Sequence, residues 1–277
     1  MKQLLLAAWV AAVGLNAAAV CTNGTFVGTG GADRPDTYLD ASKWTAGAIA
    51  NGPGAVAGFS TSANVRLPPT YNQNSPAEQM DIITLGHIVA LDRAGSEGSA
   101  IRFMESYDKW KGNSNWDGYE NHRRTPHIVL DSGVEGQPAT LTIASTNALE
   151  RSFVNPNLLL KSDLALAIDV PSTTTLRNTD NQYGDAPILG LHGDMIEDGG
   201  KRSLSITSTK PGYYIGVWGN NRLTGDVTIS NAFVLVEKTD AGCGYAQALG
   251  ASNTVKCWRA PSSTSAASTC PRARPWS

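Results

Sequence analysis

Residues 209–236 read TKPGYYIGVWGNNRLTGDVTISNAFVLV. Short apolar runs at 214–218, 227–229 and 233–236 are separated by polar turns at Gly219-Asn220-Asn221, Leu223-Thr224-Gly225-Asp226 and Ser230-Asn231. Glycine and asparagine take positive φ readily, as tight turns demand. Runs this short, rich in Val and Ile, are strands. None is long enough for a helix of about three turns. The stretch reads as β.

Working upstream, Leu141-Thr142-Ile143, residues 164–168, residues 188–191, Leu204-Ser205-Ile206 and Val227-Thr228-Ile229 follow one another. Their interval of about 23 residues predicts one coil of a parallel β-helix per repeat, each coil burying its apolar face only against its neighbours. Alternate residues of each strand then point inward. A β-sandwich would place its strands at a tighter spacing of roughly 8–12 residues. The expected fold is therefore all-β, a single-stranded parallel β-helix (solenoid). Residues 21–66, rich in small side chains, are expected to form an N-terminal cap over strands otherwise left unpaired. Residues 55–59 and 64–67 read as short strands and residues 82–91 as one longer strand.

The opening stretch also resembles a known unit. Lys210-Pro211-Gly212, an apolar strand, Gly219-x-Asn221, then Leu-Thr-Gly-Asp and Val-Thr-Ile form the pattern of the autotransporter-associated (passenger) β-strand repeat. Ala248-Leu249-Gly250 with Asn253 and Val255 is similar to that unit's sequel. The resemblance covers roughly 50 residues closely and the upstream part only in style, through Trp44 and Ile83-Thr84-Leu85-Gly86. It implies a right-handed parallel β-helix on a secreted or cell-surface bacterial protein of adhesin-like type. Function is only weakly implied, because one repeat serves adhesins, spacers and enzyme-bearing passengers alike.

The chain's 277 residues suffice for one large β domain. Charged residues make up 17%, below the usual ~25%, and the formal net charge is −2. Without basic blocks, no nucleic-acid partner is implied. Residues 1–19 read as a signal peptide: Lys2, an apolar run over 4–15, then Ala17-Ala18-Ala19. That run is too short for a spanning helix, so no membrane span is expected in the mature chain. Val20 before Cys21 is bulkier than a lipoprotein cleavage site accepts, which favours an ordinary secreted chain. Asn23-Gly24-Thr25 matches the N-glycosylation sequon, which matters only in a eukaryotic source. Export permits disulfides; Cys243 and Cys257 flank a Gly-containing turn, but four cysteines allow three pairings. The domain is placed at residues 20–257.

Residues 103–127, FMESYDKWKGNSNWDGYENHRRTPH, lose strand periodicity and read as a loop insertion. Tyr107, Trp110, Trp116 and Tyr119 could stack on sugar rings while Arg123 and neighbouring polar groups bond hydroxyls, so a polysaccharide or cell-surface glycan is the expected partner. The plainer alternative is an ordinary loop folded back on the domain. Asn113-x-Asn115-x-Asp117-Gly118 resembles half a calcium loop, with Arg124 where the bidentate Glu would stand. No cofactor is expected, and calcium at this half-loop is the one alternative left open. No metal site is predicted, since no C-x-x-C occurs and the histidines, including His122 and His127, lie scattered.

Asp180, Asp194, Glu197 and Asp198 are the catalytic candidates if the protein is a carbohydrate-active β-helix enzyme, a glycoside hydrolase or polysaccharide lyase with paired acids. They crowd into about one coil, however, which suits solvated turn acids better. The expectation leans to a non-catalytic, glycan-contacting structural module. Residues 258–277, rich in Ser, Ala, Pro and Arg, read as a disordered tail with no room for a membrane barrel.

Overall fold

The computed structural model describes residues 21–31, 36–67, 83–92, 99–104, 128–146, 151–171, 188–209, 214–217, 219, 221–236, 249 and 255–258. Among these, short strands dominate, and the helical segments are two 3-10 turns, Ala41–Lys43 and Thr45–Gly47. Numbered in chain order, the strands fall into three sheets.

The first sheet runs β1 (Gly24–Phe26), β3 (Val56–Phe59), β6 (His87–Ala90), β9 (Ala139–Ile143), β12 (Leu164–Ile168), β15 (Leu204–Ser208), β17 (Val227–Ser230) and β19 (Val255–Trp258). The second, in chain order, holds β2 (Asp36–Thr37), β4 (Val65–Arg66), β7 (Arg102–Met104), β10 (Ser152–Val154), β13 (Leu189–Leu191), β16 (Tyr214–Val217) and β18 (Phe233–Val236). The third holds β5 (Ile83–Leu85), β8 (Ile128–Leu130), β11 (Leu158–Leu160) and β14 (Met195–Glu197). Every strand pairing in the three sheets is parallel. From β3 to β14 the chain visits first, second and third sheet in fixed rotation, and each strand except β5, which opens the third sheet, pairs with its counterpart from the preceding round.

Alternation sets the core. In β12, Leu164, Leu166 and Ile168 are buried while Ala165 and Ala167 are half-buried. Leu166 stands in register with Leu141 on one side and Ile206 on the other, so one apolar row runs across three strands. Branched side chains fill such a row because they pack well on a pleated surface. The turn residues behave as their chemistry requires: Gly219 has φ of 87° and Asn231 of 53°.

Three expectations need correction. Residues 188–191 do not continue the row of Leu141 and Leu166; Leu189 pairs with Ser152 and Ile215 in the second sheet. Paired rounds are also unequal in length. His87 and Thr140 face each other 53 residues apart, Asp163 and Ser203 bond across 40, and Asn231 reaches Ser208 across 23. Turns of different size between sheets cause this, since register constrains only the strands. The run 82–91 is likewise two strands, β5 and β6, in different sheets. The break is Gly86, where an added Cβ would lie 2.5 Å from Gly54 Cα.

At the N-terminal end, residues 41–51 meet the edge of β1 away from β3 through antiparallel bridges, Thr22 to Asn51 and Phe26 to Trp44. Thr22 and Asn51 exchange both backbone bonds, at 2.9 and 3.0 Å, and Val27 N donates to the Lys43 carbonyl at 2.8 Å. Behind this segment an aromatic cluster fills the interior: Phe26, Tyr38, Trp44, Phe59 and Phe103. The Tyr38 hydroxyl donates to the Ala50 carbonyl at 2.8 Å, and Trp44 Nε1 to the Tyr38 carbonyl at 2.7 Å. Each polar tip buried with its ring thus has a partner. Burial pushes the Tyr38 hydroxyl's pKa far up.

Candidate functional site: a polar groove beside the third sheet

The turns that leave the third sheet stack into a groove of about 520 Å³, lined by Pro53, Asp131, Glu135, Gln137, Lys161, Asp163 and Arg202 among others. Its floor is tied from turn to turn. Ser132 N donates to Ser162 Oγ at 3.0 Å, and the two hydroxyls lie 3.0 Å apart. Asp131 Oδ1 accepts from Gly133 N at 2.9 Å, and Asp163 Oδ1 from Ser203 N at 2.8 Å. Arg202 donates from Nε to the Leu160 carbonyl at 3.3 Å and from Nη2 to the Asp198 carbonyl at 2.8 Å. These bonds fix carboxylates, hydroxyls and a guanidinium beside one another, a lining suited to a polyhydroxylated ligand.

Glu197 closes the next turn. Its Oε1 accepts from Arg202 N and Thr224 N, both at 2.7 Å, and the Thr224 hydroxyl lies 2.9 Å from Oε2. Burial alone would raise its pKa, but backbone bonds from Thr224, Arg202 and Gly225 and the Thr224 hydroxyl together hold it below the ordinary 4.5. A carboxylate so bonded is stabilised as the anion. Its contribution to folding is therefore full above pH 4.5 and drains away as the pH falls through the lower folded value. The wild-type melting temperature should accordingly fall more steeply than that of Glu197→Gln between about pH 5 and pH 3. Parallel curves for the two proteins would refute the assignment.

Asp194 is a different case. It is only 4% exposed and stacks on Asn157, whose Oδ1 accepts from Asp194 N at 2.9 Å. One layer on, Asn221 Oδ1 accepts from Met195 N at 2.6 Å. Asn157, Asp194 and Asn221 thus form a buried polar ladder at the entry to the third sheet, satisfying strand-start amides that turn geometry leaves without a backbone partner. Asp198, by contrast, is half-buried, with its side chain 44% exposed and 3.9 Å from Lys161 Nζ. So Asp194 sits inside, Glu197 is bonded into a turn and Asp198 faces solvent. The structure does not bring the three together as an open acid pair. The ladder's asparagines were not among the candidates; the signal for them was a polar residue directly before an apolar run, as in Asn157-Leu158 and Asp194-Met195.

Several sequence candidates lie outside the described residues: Asp180, the insertion residues Tyr107, Trp110, Trp116, Tyr119 and Arg123, the half-loop Asn113, Asn115 and Asp117, and Cys243. Cys257 is described only as backbone, in register with Ile229, so the Cys243–Cys257 bridge lies outside as well. His87 lies on the first sheet with Nδ1 2.9 Å from Thr140 Oγ1, and burial lowers its pKa. No group of three or more His, Cys, Asp or Glu that could hold a metal occurs among the described residues. Among them, too, no helix is long and apolar enough to cross a membrane.

No family model matches the chain, and no curated protein or solved structure matches it either.

Proposed function

We propose that this chain is a secreted or cell-surface right-handed parallel β-helix, built on repeats of the autotransporter-associated type, that serves as an adhesin-like, non-catalytic structural module contacting glycans. The observation that carries the reading is the fixed rotation of the chain through three parallel sheets, with counterpart strands in register. One coil per rotation gives such a pattern its simplest connection, and stacked coils make a long, stiff surface from short repeats. The low charge content suits a surface of backbone ladders and small polar side chains. Glycan contact is assigned to the polar groove and to the aromatic insertion, which supply hydrogen-bonding and stacking groups respectively.

The binding assay is retention on a panel of insoluble polysaccharides. Retention should fall at least several-fold in Trp116→Ala, which removes a stacking ring, or in Gln137→Ala, which removes an amide from the groove (about 1–3 kcal/mol lost per buried contact, or ~5–150-fold). Wild-type retention by both variants, or none by the wild type, ends the glycan part of the proposal. Assay of the same panel for reducing ends or unsaturated products addresses the carbohydrate-active enzyme alternative. Product formation that vanishes in Asp194→Asn would replace the structural reading with that one.

A further inference from the structure

We propose that the outer face of the first sheet binds ice, a further function that rests on that sheet's register and not on the glycan reading. In β9, β12, β15 and β17 two residues of each strand point away from the apolar row of Leu141, Leu166, Ile206 and Ile229. Register lines them up. One outer row is Thr140, Ala165, Ser205 and Thr228, and the other is Thr142, Ala167, Thr207 and Ser230. Pairing runs unbroken along the whole of β9, β12 and β15, with no bulge to shift a residue out of its row. Each row therefore repeats at the strand spacing of about 4.8 Å, and the two rows stand two residues apart, about 6.6 Å. Both distances are close to oxygen–oxygen repeats in planes of hexagonal ice.

The chemistry of the rows is as uniform as their spacing. No position carries a charge or a ring, and each side chain ends in a methyl group, a hydroxyl or both. A hydroxyl donates one hydrogen bond and offers two lone pairs, so it can join a lattice of water. The branched Cβ of threonine restricts χ1, which fixes where hydroxyl and methyl point before any ligand arrives. Among the described residues only Thr140 of the six hydroxyl-bearing positions has a side-chain hydrogen bond, to His87 Nδ1 at 2.9 Å. The other five hydroxyls are open to an outside partner. A polysaccharide surface is gripped by stacked rings, and a stable protein partner by an apolar, aromatic-rich centre; these rows offer neither. Ordered water asks only for small groups at a fixed repeat.

The test is ice affinity: ice is grown slowly from a solution of the full chain, and protein is assayed in the ice and in the remaining liquid. The wild type should be enriched in the ice at least several-fold over serum albumin, which growing ice excludes. Thr207 is exposed, so Thr207→Tyr sets a ring on the second row without straining the fold, and Ala167→Tyr does the same one strand away. Each should fall to the albumin level at an unchanged unfolding midpoint. Lys201→Tyr, at an exposed position outside the strands, should keep the wild-type enrichment. Exclusion of the wild type from ice overturns the proposal, and so does wild-type enrichment in Thr207→Tyr. A dimer in sedimentation that Thr207→Tyr dissolves, with no enrichment in ice, overturns it too and gives the face to a second copy of the chain.

Discussion

Replacing Trp44 with alanine is expected to remove about 3–5 kcal/mol of unfolding free energy, the range for emptying a buried indole site. Trp44 is 3% exposed and meets Phe26 edge-on with centroids 5.3 Å apart, and Tyr38 at 4.8 Å. The lost ring leaves a cavity at the end of the core, where only one neighbouring layer can relax into it. It also strips the Tyr38 carbonyl of its indole donor. Trp44→Phe separates these effects, because it keeps a ring and gives up only the N–H and the second ring. It should retain most of the stability. The measurement is the chemical-unfolding midpoint with its slope; a change in Trp44→Ala below ~1 kcal/mol would mean that this end of the molecule contributes little to the cooperative unit.

Gly193→Ala should cost ~3 kcal/mol or more, at the upper end of overpacking effects. The added Cβ would fall against the carbonyl oxygen and carbon of Pro156 and lie 2.7 Å from Asn157 N. All three are backbone atoms, so no rotamer change can admit the methyl group. The turn must move outward, and with it the Asp194 amide bonded to Asn157 Oδ1. Gly136→Ala is the control: unlike Gly193 it has a positive φ, at 74°, but nothing lies within 4 Å of the new methyl. That variant pays only the left-handed backbone strain, of about 1–2 kcal/mol. Equal losses in the two variants would show that close approach between turns is not what position 193 requires.

Legibility in the sequence tracked how local each signal was. Residues 214–217, 227–230 and 233–236 form strands where apolar runs and Gly-Asn turns predicted them, because those signals need no knowledge of distant partners. The sheet to which a strand belongs was not legible. Leu189 looks like Leu166 in sequence, yet the two lie in different sheets, since one rotation of the chain contains several similar apolar triplets. A single interval drawn through them merged two sheets into one row. Gly86 hid a break for the same reason: a lone glycine in an apolar run reads as strand until the approach of Gly54 is known. The acids were misleading in a more chemical way. Asp194 and Glu197 stand close in sequence in a polar stretch, which suits solvated turn acids better than a catalytic pair. Only the neighbouring layers, through Asn157, Thr224 and Arg202, reveal one as buried and the other as bonded into a turn.

The segment crossing β1 has an effect on how copies of this molecule can meet. Within each sheet every strand runs parallel to its neighbours, so two molecules joined end to end would need a parallel rung offered by one and received by the other. At the first rung of the longest sheet, Thr22 and Val27 already spend their amides on a stretch running in the reverse sense. A neighbour arriving there finds its docking position occupied, so the molecule has a closed head. Head-to-tail polymerisation through that rung is thereby blocked.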